Sequence, residues 1–199
     1  MYLTMFRNTN FLIIIVVALV ISAFTLGSKL TSMSGLNIAN TAFAAGSKEA
    51  FDFLSSNTNS YCGLIPQTVD GYSNDQNIQG ACCGAMDLHR YQEQVEGLKK
   101  YSEISQIPED PYNIPVSLAK ELFEYQKTIV LSEEQQKTYD QAVEMSHEGG
   151  PCCCRCWRWT AFEGQAKYLI TEHNFTAEQV AEVWDLEDGC GGAGHAMGH

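Results

Sequence analysis

The sequence predicts an all-α fold: four to five helices in one small domain, with cysteine-rich connecting loops and one N-terminal membrane segment. Several stretches carry apolar residues every three or four positions, which is the spacing of one helix face. No stretch alternates apolar and polar residues for more than a few positions, as a half-buried strand would. Proline and glycine separate the helical stretches and mark their ends.

The N-terminal segment is identified by its hydropathy. Residues 11–26 form an uncharged apolar run, longer than a usual signal-peptide core and slightly short of a full membrane span. We therefore predict a signal-anchor or signal peptide over residues 1–26. The expected location is the cell membrane, with a single span and the body on the extracytoplasmic side, or secretion if the segment is cleaved. Residues 27–48 are rich in Gly, Ser, Ala and Asn, and predict a flexible tether.

A cysteine-rich helical domain is expected over residues 49–190. Its first part, residues 60–83, mixes Gly, Pro, Asn and Asp and predicts loops bracketed by cysteines. Residues 86–104 and 116–130 then have helical spacing. Between them, residues 107–115 contain three prolines, which predict a break between two helices.

Two capping patterns locate the later helices. Ser132 with Gln135 forms a capping-box pattern at the start of a helix that ends before Gly149, and this helix is expected to carry His147 in its last turn. Residues 157–173 predict the next helix, and Thr176 with its own glutamine three positions later begins the last one. A Gly-rich tail, residues 191–199, follows and can capture metal loosely through His195, Met197 and His199.

The charge balance limits the possible partners. The formal net charge is −12, with 24 acidic residues against 12 basic ones. Nucleic acid is not expected as a partner, because binding phosphates needs a basic surface. An acidic surface suits cations and also keeps a protein soluble. No arrangement typical of a hydrolase or transferase is readable, so no enzyme activity is predicted.

Four cysteines crowd into residues 152–156. Disulfides between such close neighbours are strained, because bonded cysteines need a suitable Cα separation and torsion. In one interpretation these cysteines pair outward and produce a disulfide-stapled structural or interaction domain without metal. The partners would be Cys62, Cys82, Cys83 and Cys190.

The second interpretation treats the thiolates as metal ligands. If residues 151–156 are extended, alternate side chains share a face. One face then carries Cys152, Cys154 and Cys156, and the other carries Cys153. Three soft donors suit Cu(I), and they suit Zn²⁺ if His147 or Cys190 supplies a fourth ligand. Arg155 and Arg158 would lower the pKa of the thiols and offset the negative charge of the thiolates.

A second candidate site lies at residues 82–89. If a helix begins at Cys82, then Met86 and His89 share its face, and Cys83 is adjacent. Copper accepts thiol, thioether and imidazole ligands. Because the matched cysteine pairs of zinc fingers are missing, copper is ranked above zinc. A thiol redox protein using Cys153 and Cys156 is less favoured, because the β-strand context of such proteins is absent.

The stretch from Pro151 to Cys156 resembles the PCYCGC-motif proteins, a family of bacterial exported proteins. In that family a helix runs into Pro-Cys-x-Cys-x-Cys, and further cysteines follow. The matching residues are Pro151, Cys152, Cys154, Cys156, the preceding helix with His147, and Cys190 downstream. The chain departs from the motif at Cys153 and Arg155, and the resemblance covers about residues 138–190. It implies an exported cysteine-rich binding protein and no enzyme activity.

The sequence therefore predicts a membrane-tethered extracytoplasmic binding protein for a soft metal, most favourably Cu(I), with zinc as the alternative ion. Such a protein would act as a carrier or metallochaperone and would pass its ion to a recipient metalloprotein.

Overall fold

A computed structural model describes residues 43–191, and over this range the chain forms seven α-helices, one 3₁₀ turn and a two-stranded sheet. The elements are α1 (Lys48–Ser56), α2 (Pro66–Asp70), β1 (Asn77–Gln79), α3 (Leu88–Leu98), the 3₁₀ turn (Lys99–Tyr101), β2 (Asn113–Pro115), α4 (Val116–Thr128), α5 (Glu133–Met145), α6 (Trp157–Glu172) and α7 (Ala177–Leu186). The prediction of a mainly helical domain is confirmed. The helix number exceeds the expected four to five, because α1 and the five-residue α2 were not predicted.

The predicted capping boxes are both present. The Ser132 hydroxyl accepts a hydrogen bond from the backbone N–H of Gln135, and the Gln135 side chain accepts one from the backbone N–H of Ser132. Thr176 and Gln179 form the same reciprocal pair at the start of α7. These bonds satisfy backbone donors that have no partner within the helix, so the sequence pattern fixes the helix start.

The predicted end of α5 is wrong by one turn. The helix ends at Met145, and His147 lies beyond its C-cap residue, Ser146. The Ser146 hydroxyl accepts a hydrogen bond from the backbone N–H of Gly150 at 2.8 Å, and Gly149 adopts a φ of +66°. The chain leaves the helix at Ser146, whose backbone is extended (φ −72°, ψ 147°), and the turn through Gly149 follows it.

The small sheet was not expected from the sequence. Strands β1 and β2 pair antiparallel, with Ile78 opposite Ile114, and both isoleucine side chains are fully buried. Each strand has only three residues, which is too short for an alternating pattern to stand out. The sheet fixes the loop between α2 and α3 to the residues that lead into α4.

The core is formed mainly by the later helices, with α4 packed on α6 and α5 packed on α7. A Cβ atom at Gly164 of α6 would lie 2.0 Å from the carbonyl oxygen of Leu122 in α4, so glycine allows the close approach of these two helices. Trp157 and Trp184 are buried in this core. Because Trp157 directly follows the cysteine segment, the core fixes the end of that segment.

None of the helices in residues 43–191 is both long enough and apolar enough to cross a membrane. The predicted membrane segment at residues 1–26 lies outside the described residues, as do most of the tether and the tail residues His195, Met197 and His199.

Candidate metal centre

All eight cysteines of the chain meet in one place. Their sulfur atoms form four overlapping groups of three, and within each group all sulfurs lie within 4.8 Å of one another. The groups are Cys62–Cys82–Cys83, Cys82–Cys152–Cys156, Cys83–Cys153–Cys190 and Cys152–Cys153–Cys154. Because neighbouring groups share sulfurs, we describe the eight residues together as the cysteine cluster.

Hydrogen bonds between loops hold the cluster together. The backbone N–H of Cys82 donates to the carbonyl of Gly189 at 2.9 Å, and the N–H of Gly84 donates to the carbonyl of Cys190 at 2.7 Å. The N–H of Cys62 donates to the carbonyl of Cys82 at 3.1 Å. Three loops distant in sequence are therefore joined through their backbones, independently of any metal.

The segment with four cysteines is joined to the same frame. The backbone N–H of Trp157, at the start of α6, donates to the carbonyl of Leu64 at 2.8 Å. The indole N–H of Trp157 donates to the hydroxyl of the buried Ser60 at 3.2 Å. Cys156 is the N-cap residue of α6. The positive end of the helix dipole therefore lies beside the cluster, where it favours negative charge.

One glycine is required by this arrangement. Gly191 has a φ of +81°, and a Cβ atom there would lie 2.6 Å from the carbonyl oxygen of Gly84 and 2.9 Å from that of Ala85. L-amino acids rarely adopt this backbone conformation, and neither backbone oxygen can move without moving its loop. Gly191 therefore allows the loop of Cys190 to approach the loop of Cys82 and Cys83.

Two of the sulfur–sulfur separations match those of thiolates bound to one soft metal ion. Cys152 Sγ lies 3.9 Å from Cys156 Sγ and 4.0 Å from Cys190 Sγ. Metal–sulfur bonds of about 2.3 Å place the ligand sulfurs roughly 3.8 to 4.0 Å apart in tetrahedral or trigonal geometry. Each of the four groups holds three sulfurs. The geometry therefore provides three-coordinate sites directly, whereas a tetrahedral ion needs a fourth ligand.

The thiols differ in their exposure. Cys82, Cys152, Cys156 and Cys190 are buried, Cys154 is half-buried, and Cys62, Cys83 and Cys153 are exposed. The cluster consequently has a buried side and an exposed edge, so it is accessible to solvent without being a surface patch.

The thiols also differ in acidity. A hydrogen bond with Cys156 lowers the pKa of the Cys152 thiol to about 7, and a hydrogen bond with Cys152 lowers the pKa of Cys190 to about 6. Burial raises the pKa of Cys153 to about 12 and that of Cys83 to about 11. Without a metal, negative charge therefore concentrates on two sulfurs. A metal ion would supply the positive charge that lets the others ionise.

A buried cation lies next to the cluster. Arg158 is 1% exposed, and its guanidinium donates to the carbonyls of Glu187 and Pro111, at 3.3 and 2.7 Å. A Cβ atom on Gly189 would lie 2.1 Å from the guanidinium carbon, so glycine provides the space for this side chain. Arginine stays charged when buried. The charge of Arg158 opposes the rise of the Cys82 pKa, which is caused mainly by hydrogen bonding with Cys152.

The carboxyl group of Glu187 lies in the same buried network. It is fully buried and accepts a hydrogen bond from the Gln165 side chain at 2.6 Å. Burial raises the pKa of Glu187 to about 8. At neutral pH this carboxyl is mostly protonated and does not cancel the charge of Arg158, so that charge remains available to a thiolate cluster.

The cysteine segment is not extended, which was the condition for a shared face of Cys152, Cys154 and Cys156. The consecutive residues Cys152, Cys153 and Cys154 have sulfurs within 4.8 Å of one another, which the alternating side chains of a strand do not allow. The chain bends through residues 153–156 before α6 begins. The expected face of Cys152, Cys154 and Cys156 is therefore wrong, and Cys152 and Cys156 are instead grouped with Cys82.

The helix expected to begin at Cys82 begins at Leu88, because Asp87 caps it through the backbone N–H of Arg90. Met86 therefore precedes the helix, and its sulfur accepts a hydrogen bond from Ser55 at 3.7 Å. His89 is on the helix and pairs with Glu93, at 3.1 Å.

His147 pairs with Asp185, with 3.0 Å between Nδ1 and Oδ2. Among the described residues, neither His147 nor His89 belongs to any of the four cysteine groups. The four-cysteine segment, in contrast, shares sulfur groups with Cys82, Cys83 and Cys190.

Sequence reasoning did not include Cys62 among the metal ligands. Nothing within its own stretch marks it, since it is separated by 20 residues from Cys82. The available signal was the even total of eight cysteines, which was assigned only to disulfides. No two sulfurs of the cluster are at bonding distance: the closest pair, Cys153 and Cys190, is 2.8 Å apart, against about 2.05 Å in a disulfide.

No protein-family model matches this chain, and neither the curated proteins nor the solved structures yield a significant match. The geometry of the cysteine cluster is therefore the basis on which a function is inferred.

Proposed function

We propose that this protein binds Cu(I) through the cysteine cluster and carries it, as a membrane-tethered extracytoplasmic metallochaperone, to a recipient metalloprotein. The observation that carries the proposal is the convergence of eight cysteines into four overlapping groups of three sulfurs. A single structural zinc site needs four ligands, and eight thiols are more than it uses. Soft thiolate ligands at low coordination number select Cu(I).

Three features support Cu(I) over Zn²⁺ as the cargo. Each group offers three sulfurs. His147, predicted as a possible fourth ligand, is paired with Asp185, and His89, predicted as a ligand of the second site, is paired with Glu93. The shared sulfurs allow thiolates to bridge neighbouring ions, so the cluster can hold more than one Cu(I). Zinc remains the alternative ion for the buried sulfurs, with Cys190 as the fourth ligand to Cys82, Cys152 and Cys156.

The exposed edge supports a carrier over a permanent structural site. Cys62, Cys83 and Cys153 are exposed, so an incoming ligand can reach a bound ion. Structural metal sites are closed by contrast. The apolar run at residues 11–26 is the basis for placing the protein at a membrane, and the acidic net charge suits a cationic cargo.

Metal content and free thiols, measured together, test the proposal. The full-length chain is purified in detergent under anaerobic conditions, bound metals are measured by elemental mass spectrometry, and thiols are counted after denaturation and metal removal. The proposal expects bound copper and eight reactive thiols. Absence of copper after anaerobic incubation with Cu(I) would overturn it.

One observation favours a second candidate function, the disulfide-stapled domain without metal. The sulfurs of Cys153 and Cys190 are 2.8 Å apart, closer than two sulfurs in ordinary contact, so an oxidant would couple this pair before others. This alternative expects few reactive thiols and no metal in the measurement above. The thiol redox alternative has less support, because Cys153 and Cys156 share none of the four groups.

A further inference from the structure

The four cysteine groups form a connected path from the surface to the interior. The group Cys62–Cys82–Cys83 contains two exposed thiols, and the group Cys82–Cys152–Cys156 contains none. Cys82 belongs to both. A three-coordinate ion in the exposed group is thus already bonded to one ligand of the buried group.

Local geometry supports direct exchange between these groups. The sulfurs of Cys82 and Cys83 are 3.6 Å apart, and those of Cys152 and Cys156 are 3.9 Å apart. The Cys62 thiol donates to the carbonyl of Cys82 at 3.4 Å, which holds it beside its neighbours. An ion moving from one group to the other would therefore travel only a few ångströms and would not enter solvent.

On the basis of the proposed function, we propose that Cu(I) is taken up and released at Cys62 and Cys83, and that Cys82 transfers it to and from a buried holding site made with Cys152 and Cys156. A thiol or another soft donor of the partner would approach the exposed pair. The group with two exposed thiols joins the buried sulfurs through Cys82, whereas the group Cys152–Cys153–Cys154, which joins them through Cys152, has one exposed thiol.

The transfer is ligand exchange at constant oxidation state. Copper remains Cu(I) and stays bonded to Cys82 throughout. Bonds from copper to Cys152 and Cys156 form as the bonds to Cys62 and Cys83 break. Each incoming thiol gives up its proton and each departing thiolate takes one up, so protons and charge balance without an oxidant or reductant.

Two cysteines of the cluster provide a matched comparison. Cys62 and Cys154 each belong to one group only. Cys62 lies in the exposed group with Cys82, whereas Cys154 lies with Cys152 and Cys153, outside the proposed path. Replacing either by serine removes one thiol, and only the Cys62→Ser variant alters the exposed end of the path.

The test follows copper transfer from the loaded, full-length protein to bathocuproine disulfonate, a Cu(I) chelator, by stopped-flow absorbance. Cys62→Ser is expected to slow the transfer by about tenfold or more, whereas Cys154→Ser, which removes a thiol outside the path, is expected to slow it clearly less. Equal rates in Cys62→Ser and wild type, or equal slowing by both variants, would overturn the inference. A wild-type protein that takes up no copper would instead overturn the proposed function.

A measurement on the wild-type protein covers the case in which a variant fails to fold. In the wild-type protein loaded with one equivalent of Cu(I), the exposed thiols of Cys62 and Cys83 are expected to react with iodoacetamide, because the ion rests on Cys82, Cys152 and Cys156. Protection of Cys62 and Cys83 from alkylation, read by mass spectrometry of the peptides, would place the ion in the exposed group and refute the buried holding site.

Discussion

Replacing Gly191 by alanine tests whether the loop geometry builds the cysteine cluster. The new Cβ atom would lie 2.6 Å from the carbonyl oxygen of Gly84 and 2.9 Å from that of Ala85, at a φ of +81°. The matched control is Gly149→Ala. Gly149 has a φ of +66°, and its Cβ atom would have nothing within 4 Å. The two substitutions therefore share the backbone strain and differ in the steric contact.

The expected loss in the free energy of unfolding has three contributions. A left-handed alanine costs about 1–2 kcal/mol at either position. At Gly191 the contact with two backbone oxygens also separates the loops and breaks the hydrogen bond from Gly84 N–H to the Cys190 carbonyl. Losing that bond costs roughly 0.5–1.5 kcal/mol, and steric crowding adds about 1 kcal/mol or more. We expect a loss of about 3–4 kcal/mol for Gly191→Ala, against about 1–2 kcal/mol for the control.

Urea unfolding of the reduced, metal-free protein measures this difference through tryptophan fluorescence, since the chain carries Trp157 and Trp184 in its core. Copper affinity is measured by competition with a chelator. It should fall about tenfold or more in Gly191→Ala, because the substitution displaces the neighbouring Cys190 and so weakens its bond to copper. Equal destabilisation by the two substitutions, with unchanged copper affinity in both, would refute the argument that this close approach assembles the site.

Two further predictions concern pH. The lowered pKa values of Cys190, about 6, and Cys152, about 7, mean that filling both groups that contain these thiols with copper displaces two more protons well below pH 6 than well above pH 7. The slope of log affinity against pH should therefore be steeper below pH 6, and a constant slope in competition titrations would contradict this. Burial raises the pKa of Glu187 from 4.5 to about 8. Between these values the unfolded chain loses the proton and the folded chain keeps it, so the contribution of Glu187 to stability falls as pH rises and levels off above pH 8, whereas the lowered pKa values of Cys152 and Cys190 act in the opposite sense above about pH 6. Glu187→Gln should remove this decrease, which amounts to about 3–5 kcal/mol. Urea unfolding between pH 4.5 and 8.5 measures it, and the same dependence of unfolding free energy on pH in the variant and in the wild type would disprove the prediction.

The helix starts were predictable because their cause is local. Ser132 and Thr176 each bond to a residue three positions away, so the pattern in the sequence and the bonds in the structure are the same feature. The end of α5 and the β1–β2 pair were not predictable in this way. The β1–β2 pairing joins residues more than 30 positions apart, and no pattern within a three-residue strand reveals it.

The cysteine cluster was only partly predictable for the same reason. Crowding within residues 152–156 indicated that these thiols do not pair easily with one another. The sequence did not show which face they would use, because the bend before α6 depends on bonds to distant loops, such as Trp157 N–H to the Leu64 carbonyl. Cys62 was missed as a ligand because it reaches Cys82 and Cys83 only through the fold.

Hydrogen bonds between loops support the cysteine cluster, and this support affects how the cluster exchanges metal. In small zinc domains the metal organises the chain, and binding free energy is spent on folding. Here hydrogen bonds such as Cys82 N–H to Gly189 and Cys62 N–H to Cys82 hold the loops on a helical core built largely from apolar side chains. We therefore expect the metal-free protein to be folded with its thiols already close together. A site that stays assembled when empty can release its ion without unfolding, and this property suits a carrier better than a structural centre.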